Sequence, residues 1–244
     1  MAVTRSGNRM VGLAMMMVVS AVIGTIVVAA ARTPSTPASS PPAAAAAAAP
    51  APQQVALPAK YVVLTFDDGP DPTYTPQILD VLAKYGAKAT FFELGQKVAK
   101  HPALTKRIHD AGHSVQNHTW THADLRTLSA RSFNQQLQST DRSISAQTGV
   151  LPRCLRPPYG AMNRVVTTRA KALGKDLVVW DVDSRDWTKP GTAAIVKRVL
   201  AGVHNGSVIL MHDGGGNRSQ TVAALPTILK TLKARGYGFR TVTC

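Results

Sequence analysis

Two carboxylates stand side by side in VVLTFDDGPD, where Asp67 and Asp68 follow the apolar run Tyr61–Phe66. The chain has only 13 acidic residues against 28 basic ones, so an acidic pair at the mouth of an apolar run calls for a reason. A turn is the plain alternative, because Asp, Gly and Pro all favour turns. Further on, HTWTH sets His118 and His122 four residues apart. That spacing brings two imidazoles to one side of a helical turn or a tight loop, where both can bind one metal ion. With a carboxylate from another strand end they would form a two-histidine, one-carboxylate site with positions left for water and substrate. Asp183, Asp186 and His212-Asp213 also follow apolar runs.

Convergence of these residues depends on the elements that carry them. Short apolar runs at Tyr61–Phe66, Ala89–Phe92, His113–Asn117, Leu177–Asp181, Ser207–Met211 and Phe239–Val242 have the length and β-branched content of buried strands. Between them lie helical patterns at Thr75–Tyr85, Pro102–Ala111, Ser129–Gln147 (Ser129 as N-cap), Asn163–Ala172, Thr192–Val203 and Thr221–Arg235. Alternation of strand and helix predicts an α/β fold with a mainly parallel sheet. In a parallel barrel all strands open on one face at their C-terminal ends, so the polar residues are expected to meet there.

Five segments in order, TFDDGPD (Thr65–Asp71), HTWTH (His118–His122), RPPYG (Arg156–Gly160), DSRDW (Asp183–Trp187) and LMH (Leu210–His212), give residues 60–244 their likeness to a family. This stretch resembles the polysaccharide deacetylases, the NodB-homology domain or carbohydrate esterase family four. The resemblance implies a distorted (β/α) barrel of seven strands and metal-dependent removal of acetyl groups from N-acetylated or, less often, O-acetylated sugars. It implies that Asp68, His118 and His122 are the metal ligands and Asp67 the catalytic base. Arg156 would hold Asp67, and the Tyr159 backbone N–H would face the oxyanion. His212 would be the acid that protonates the departing amine, oriented by Asp186, while Trp180 and Leu210 would line the acetyl pocket. Asp183 and Trp187 complete the fourth segment without an assigned role. One divalent ion is implied, zinc ahead of cobalt or nickel.

Other classes fit less well. An aspartyl phosphatase separates its nucleophile and acid by one residue and needs no HTWTH, and HDGGGNR (His212–Arg218) lacks the Lys-Ser/Thr of a phosphate-binding loop. Its glycines read as turns or as places where backbone approaches the sugar. A sugar-binding module without catalysis would be expected to have lost a ligand or the base. His101, His109 and His204 read as surface or helix-end residues, and His113 as a structural histidine.

Export is expected from the N-terminus. Arg5 and Arg9 precede the uncharged stretch Met10–Ala31, 22 residues long, which as a helix would span about 33 Å. Residues 1–32 therefore read as a signal peptide or a membrane anchor. Residues 33–58, nearly all Ala, Pro, Ser, Thr and Gln, read as a linker unable to bury a core. One domain, 59–244, remains. Arg5, Arg9 and Arg32 are the only basic residues before it, so from the whole-chain net charge of +15 it keeps +12. That charge favours an anionic partner. Export and the lack of basic–aromatic interleaving exclude nucleic acid, leaving a polysaccharide, with peptidoglycan ranked ahead of chitin-like oligomers and acetylxylan. The membrane enters only through the N-terminal segment, and a monomer is the default. Cys154 and Cys244 have no CxxC spacing and are expected to form a structural disulfide.

Overall fold

The computed structural model describes residues 60–244; the expected leader or anchor and the linker lie outside the described residues. Eight strands alternate with helices: Tyr61–Asp67 (β1), Thr90–Glu93 (β2), Ser114–Asn117 (β3), Cys154–Leu155 (β4), Asp176–Leu177 (β5), Val182–Asp183 (β6), Val208–His212 (β7) and Gly238–Arg240 (β8). The helices are Tyr74–Lys84 (α1), Gly95–Lys100 (α2), Pro102–Asp110 (α3), Ala130–Thr148 (α4), Arg164–Ala172 (α5), Thr192–Gly202 (α6) and Ser219–Ala234 (α7). All the strand pairs are parallel. Seven strands follow one another in the order β5-β4-β3-β2-β1-β7-β6, and β8 pairs with β1 off this path. β8 takes the first half of β1 (Tyr61–Val63) and β2 its last half (Thr65–Asp67).

β1 explains why the sequence chooses this fold. YVVLTFD is rich in the β-branched and aromatic residues that suit a pleated, buried surface, and every residue from Val62 to Asp67 is buried. Its side chains alternate. Val62, Leu64 and Phe66 join the main core with Ile78 and Leu82 of α1, Ile195 of α6 and Leu229 of α7. Thr65 and Asp67 meet Arg156 on the opposite side. A strand covered on both faces carries apolar residues without strict alternation, as here. A smaller cluster of Phe133 and Leu137, Leu155, Val166 and Ala170 seats α4 and α5.

The expected strand Leu177–Asp181 is not one strand. Val178 donates to Leu155 O at 2.9 Å and Asp181 to Val208 O at 3.2 Å, so the segment leaves one edge of the sheet at β5 and reaches the other at β6. These four residues, Val178–Asp181, span the mouth of an open, distorted barrel. The two-residue β4 and the short α2 were not foreseen, because neither is long enough to show a period. Ser129 does cap α4, accepting from Ser132 N at 3.1 Å. Cys154 and Cys244 are bonded, with Cα atoms 5.6 Å apart. Val242 N donates to Thr90 Oγ1 at 2.9 Å, so the C-terminal tail runs past the start of β2 to β4, at the end of the sheet away from the site.

Candidate active site

Asp67 ends β1 directly beside His212, which ends β7, as Cα partners in the sheet. Consecutive strand residues point to opposite faces, so a regular continuation would turn Asp68 away. Asp68 instead adopts φ +72°, a left-handed conformation that Asp tolerates. The reversal brings both carboxylates into one cleft of about 440 Å³ with His118, His122, Tyr159, Trp180, Leu210 and His212, a volume in the range of ligand sites. Pro157, Asp183 and Trp187 complete its wall.

Asp68 is cradled by backbone. Gly215 would place a Cβ 2.4 Å from Asp68 Oδ2, and Gly214 one 2.1 Å from Asp68 O, so only glycine fits. Two of the three glycines of HDGGGNR, Gly214 and Gly215, thus approach Asp68, while Gly215 and Gly216 also turn the chain at φ +72° and +133°.

HTWTH is a loop, not a helical turn, with Thr119 at φ +70° and His122 at φ +63°. His118 Nδ1 lies 2.7 Å from Arg156 O. A carbonyl can only accept, so Nδ1 carries the proton and Nε2 presents its lone pair to the cleft. The Nε2 atoms of His118 and His122 stand 3.5 and 3.4 Å from Asp68 Oδ1, and that oxygen is buried with no hydrogen-bond partner. One donor atom from each of the three residues lies within 4.8 Å of the others, a grouping that could hold a metal ion. Burial alone would push the Asp68 carboxyl up; the imidazoles of His118, His212 and His122, when protonated, outweigh it and hold the carboxyl below the usual carboxylate range.

Asp67 faces a different environment. Arg156, fully buried, donates from Nη1 to Asp67 Oδ1 and to Thr65 Oγ1, both at 2.7 Å. The same guanidinium reaches Val178 O at 3.3 Å and Val179 O at 3.4 Å and lies 4.2 Å from the centre of the Phe92 ring. Five donors in a planar fork make such a junction possible. Burial pulls the Arg156 group down, and the Asp67 charge opposes this.

Across the cleft His212 Nδ1 bonds Asp186 Oδ1 at 2.7 Å, and Asp186 Oδ2 also accepts from His212 N at 2.8 Å and Thr221 Oγ1 at 2.7 Å. Burial would pull the His212 imidazole down, but Asp186 first, then Asp67 and Asp68, raise it above its ordinary value. Burial would likewise raise Asp186; His212 and Thr221 hold it low. Tyr159 is 70% exposed at φ +62°, on the cleft rim, with its ring 4.6 Å from that of His122.

Some participants escaped the sequence reading. Thr65, two residues before Asp67 and so on the same face, shares Arg156. Asp213 is fully buried and accepts from Thr75 Oγ1 at 2.5 Å. Burial pushes its carboxyl up to about 7, with Asp68 and Asp67 adding to the rise. Glu93, also fully buried, is raised well above the carboxylate range, chiefly by burial. Asp213 follows β7 and stands in the sequence as a polar residue past an apolar run, and Glu93 ends β2; what the sequence does not carry is their burial. The histidines read as ordinary remain so: His113 accepts from Ala89 N at 3.1 Å, and exposed His204 pairs with Asp181 at 2.8 Å.

A carboxylate and two histidines at the strand tips of an open parallel barrel, flanked by a second carboxylate on an arginine and a histidine on an aspartate, define a hydrolase site of one recognisable class. The chain belongs to the polysaccharide deacetylase family, whose model matches residues 54–178. It is 42% identical over 186 residues to a peptidoglycan-N-acetylglucosamine deacetylase of Bacillus cereus, covering 75% of this chain and 87% of that protein. It is also 42% identical over 195 residues to a chitooligosaccharide deacetylase of Sinorhizobium fredii, covering 75% and 91%. Among solved structures, the Bc1960 peptidoglycan N-acetylglucosamine deacetylase superposes with a TM-score of 0.73 at 38% identity over 75% of this chain and 86% of that one. A family pseudoenzyme from Bacillus anthracis is similar too, with a TM-score of 0.70 and 36% identity over 75% and 64%. Likeness of fold therefore does not decide activity; the side chains in the cleft do.

Proposed function

We propose that this protein hydrolyses the acetamide of N-acetylated amino sugars in a polysaccharide, peptidoglycan first, to give acetate and a free amine. The observation that carries the reading is the division of the cleft into three sets: Asp68 with His118 and His122, Asp67 with Arg156, and His212 with Asp186. The first set suits one divalent ion, zinc ahead of cobalt or nickel, because the buried Asp68 Oδ1 lacks any other partner and two imidazole nitrogens face it. When bound, such an ion acidifies water and polarises a carbonyl.

Asp67 is the base. Its Oδ1 is occupied by Arg156, and it takes the proton of the attacking water as the new C–O bond forms. The Tyr159 N–H faces the oxyanion of the tetrahedral intermediate. His212 then gives its Nε2 proton to the sugar nitrogen as the C–N bond breaks. Because Nδ1 is held by Asp186, Nε2 is the nitrogen left for this transfer. Trp180 and Leu210 enclose the acetyl methyl.

Peptidoglycan ranks first because a positively charged domain suits an anionic wall polymer; the similar identity to a chitooligosaccharide deacetylase makes chitin-like oligomers the alternative, with acetylxylan third. Residues 1–32 would direct export, as a cleaved signal or an anchor, and 33–58 would act as a spacer. Among the described residues no helix is long and apolar enough to cross a membrane.

The test is acetate release from purified peptidoglycan, N-acetylated chitin oligomers and acetylxylan in parallel, before and after chelation. We expect peptidoglycan to lead, chelation to abolish release and zinc to restore it. Full turnover in metal-free protein would end the reading, and a preference for acetylxylan would overturn its substrate.

A further inference from the structure

The loop that carries His118 and His122 holds no regular backbone pairing of its own, yet four consecutive backbone N–H groups in it are all satisfied by side chains. Thr119 N donates to Asn117 Oδ1 at 2.8 Å, and His122 N to Thr119 Oγ1 at 3.1 Å. The two between them, Trp120 N and Thr121 N, both donate to Gln136 Oε1, at 2.8 and 2.9 Å. Gln136 Nε2 in turn donates to Thr121 Oγ1 at 2.9 Å. Gln136 lies outside the loop, in the second turn of α4, and does not line the cleft.

We infer that Gln136 is a positioning residue for the two histidines: one amide side chain, planted on a helix, fixes the loop from outside the cleft. A loop with left-handed φ at two non-glycine residues, Thr119 and His122, persists only where its surroundings over-determine it. Alanine at 136 would remove the shared acceptor of two consecutive donors, the partly buried Trp120 N and the exposed Thr121 N, which only water could then replace, and the loop would relax toward conformations in which His122 leaves Asp68. Two backbone bonds, from Gly95 N to Thr119 O at 2.9 Å and from Gln96 N to Trp120 O at 3.2 Å, hold the first half of the loop to α2, so the loss of Gln136 is felt most at Thr121 and His122.

This inference rests on the proposed metal site, so the test reads metal affinity itself. Zinc dissociation constants are measured by competition with a chromophoric chelator on the full chain for wild type, Gln136→Ala, Gln136→Glu and Thr121→Val, with metal-free melting temperatures alongside. Loss of groups that orient metal ligands commonly costs about 10–100-fold in affinity, and we expect a loss of that size for Gln136→Ala. Gln136→Glu keeps both acceptor bonds, and the Thr121 hydroxyl can turn to donate to it, so it should recover affinity to within a few-fold of wild type. Thr121→Val loses only the outer bond and should stay close to wild type. A Gln136→Ala variant with wild-type zinc affinity would overturn the inference while leaving the metal site standing. So would one whose metal-free form melts early enough to be partly unfolded under the assay conditions, if Gln136→Glu melts and binds equally badly. A wild-type protein that takes up no zinc would sink the inference together with the site on which it rests.

Discussion

Asp67 and Asp68 are neighbours in the chain with opposite surroundings, one on a buried arginine and the other facing two imidazoles. Asp67→Asn should keep its metal and lose turnover by about 10²–10⁴-fold, the usual effect of losing a general base. Asp68→Asn should weaken metal binding and regain part of its activity at high zinc. Metal content measured beside acetate release separates the two; a reversed pattern would exchange their roles. His212 gives a second test at this scale. Its imidazole is raised above the ordinary value, against burial, by Asp186 and more distantly by Asp67 and Asp68. An acid works only while protonated, so activity should fall as pH rises through that raised value, and the alkaline limb of kcat/KM should lie above that of an ordinary imidazole. Asp186→Asn should move that limb to lower pH, and an unmoved limb would remove His212 from the acid's role.

Among the elements, the open side of the barrel is where most is decided. β5 and β6 are only two residues each, and Val178–Asp181 between them is tied inward by Arg156 to β1. Arg156 therefore joins the crossing segment to Asp67, the proposed base. Truncating one member of a buried ion pair leaves the other charge uncompensated and costs about 3–5 kcal/mol, so Arg156→Met should destabilise strongly in urea unfolding. Arg156→Lys keeps the charge but cannot reach Asp67, Thr65 and two carbonyls together; it should recover part of the stability and little of the turnover. Equal stability of all three proteins would mean that the mouth closes without this junction.

At the scale of the whole molecule the site sits at one end of the sheet and the disulfide at the other. Cys154 and Cys244 are 90 residues apart, and closing a loop of that length is worth about 2–4 kcal/mol in the usual range. Cys244→Ser should lower unfolding stability by about that amount while zinc affinity stays unchanged, because Asp68, His118 and His122 are placed by the opposite strand ends. Loss of metal with the disulfide would show that the two ends are coupled. Two alkylatable thiols in the native protein would contradict the bond itself.

What the sequence determined by itself is what local chemistry and period can carry. The five segments named the residues, the β1, β2, β3 and β7 runs had strand composition, and alternation with six of the seven helices dictated a parallel sheet. Parallel order alone sent Asp67, His118 and His212 to one face. The tertiary structure decided what depends on long-range contact. It placed Leu177–Asp181 across two sheet edges rather than in one strand, since pairing partners 22 and 27 residues away, Leu155 and Val208, competed for it. It turned HTWTH into a loop because α4, through Gln136, and Asn117 supplied acceptors that a helix would have found in its own backbone. It also raised the carboxyls of Asp213 and Glu93, which look like any others in the sequence and are shifted chiefly by burial. A residue's type is written in the chain; its burial and its charged neighbours are not, and these decide which carboxyls are pushed up, as those of Asp213 and Glu93 are, and which is held low, as that of Asp68 is.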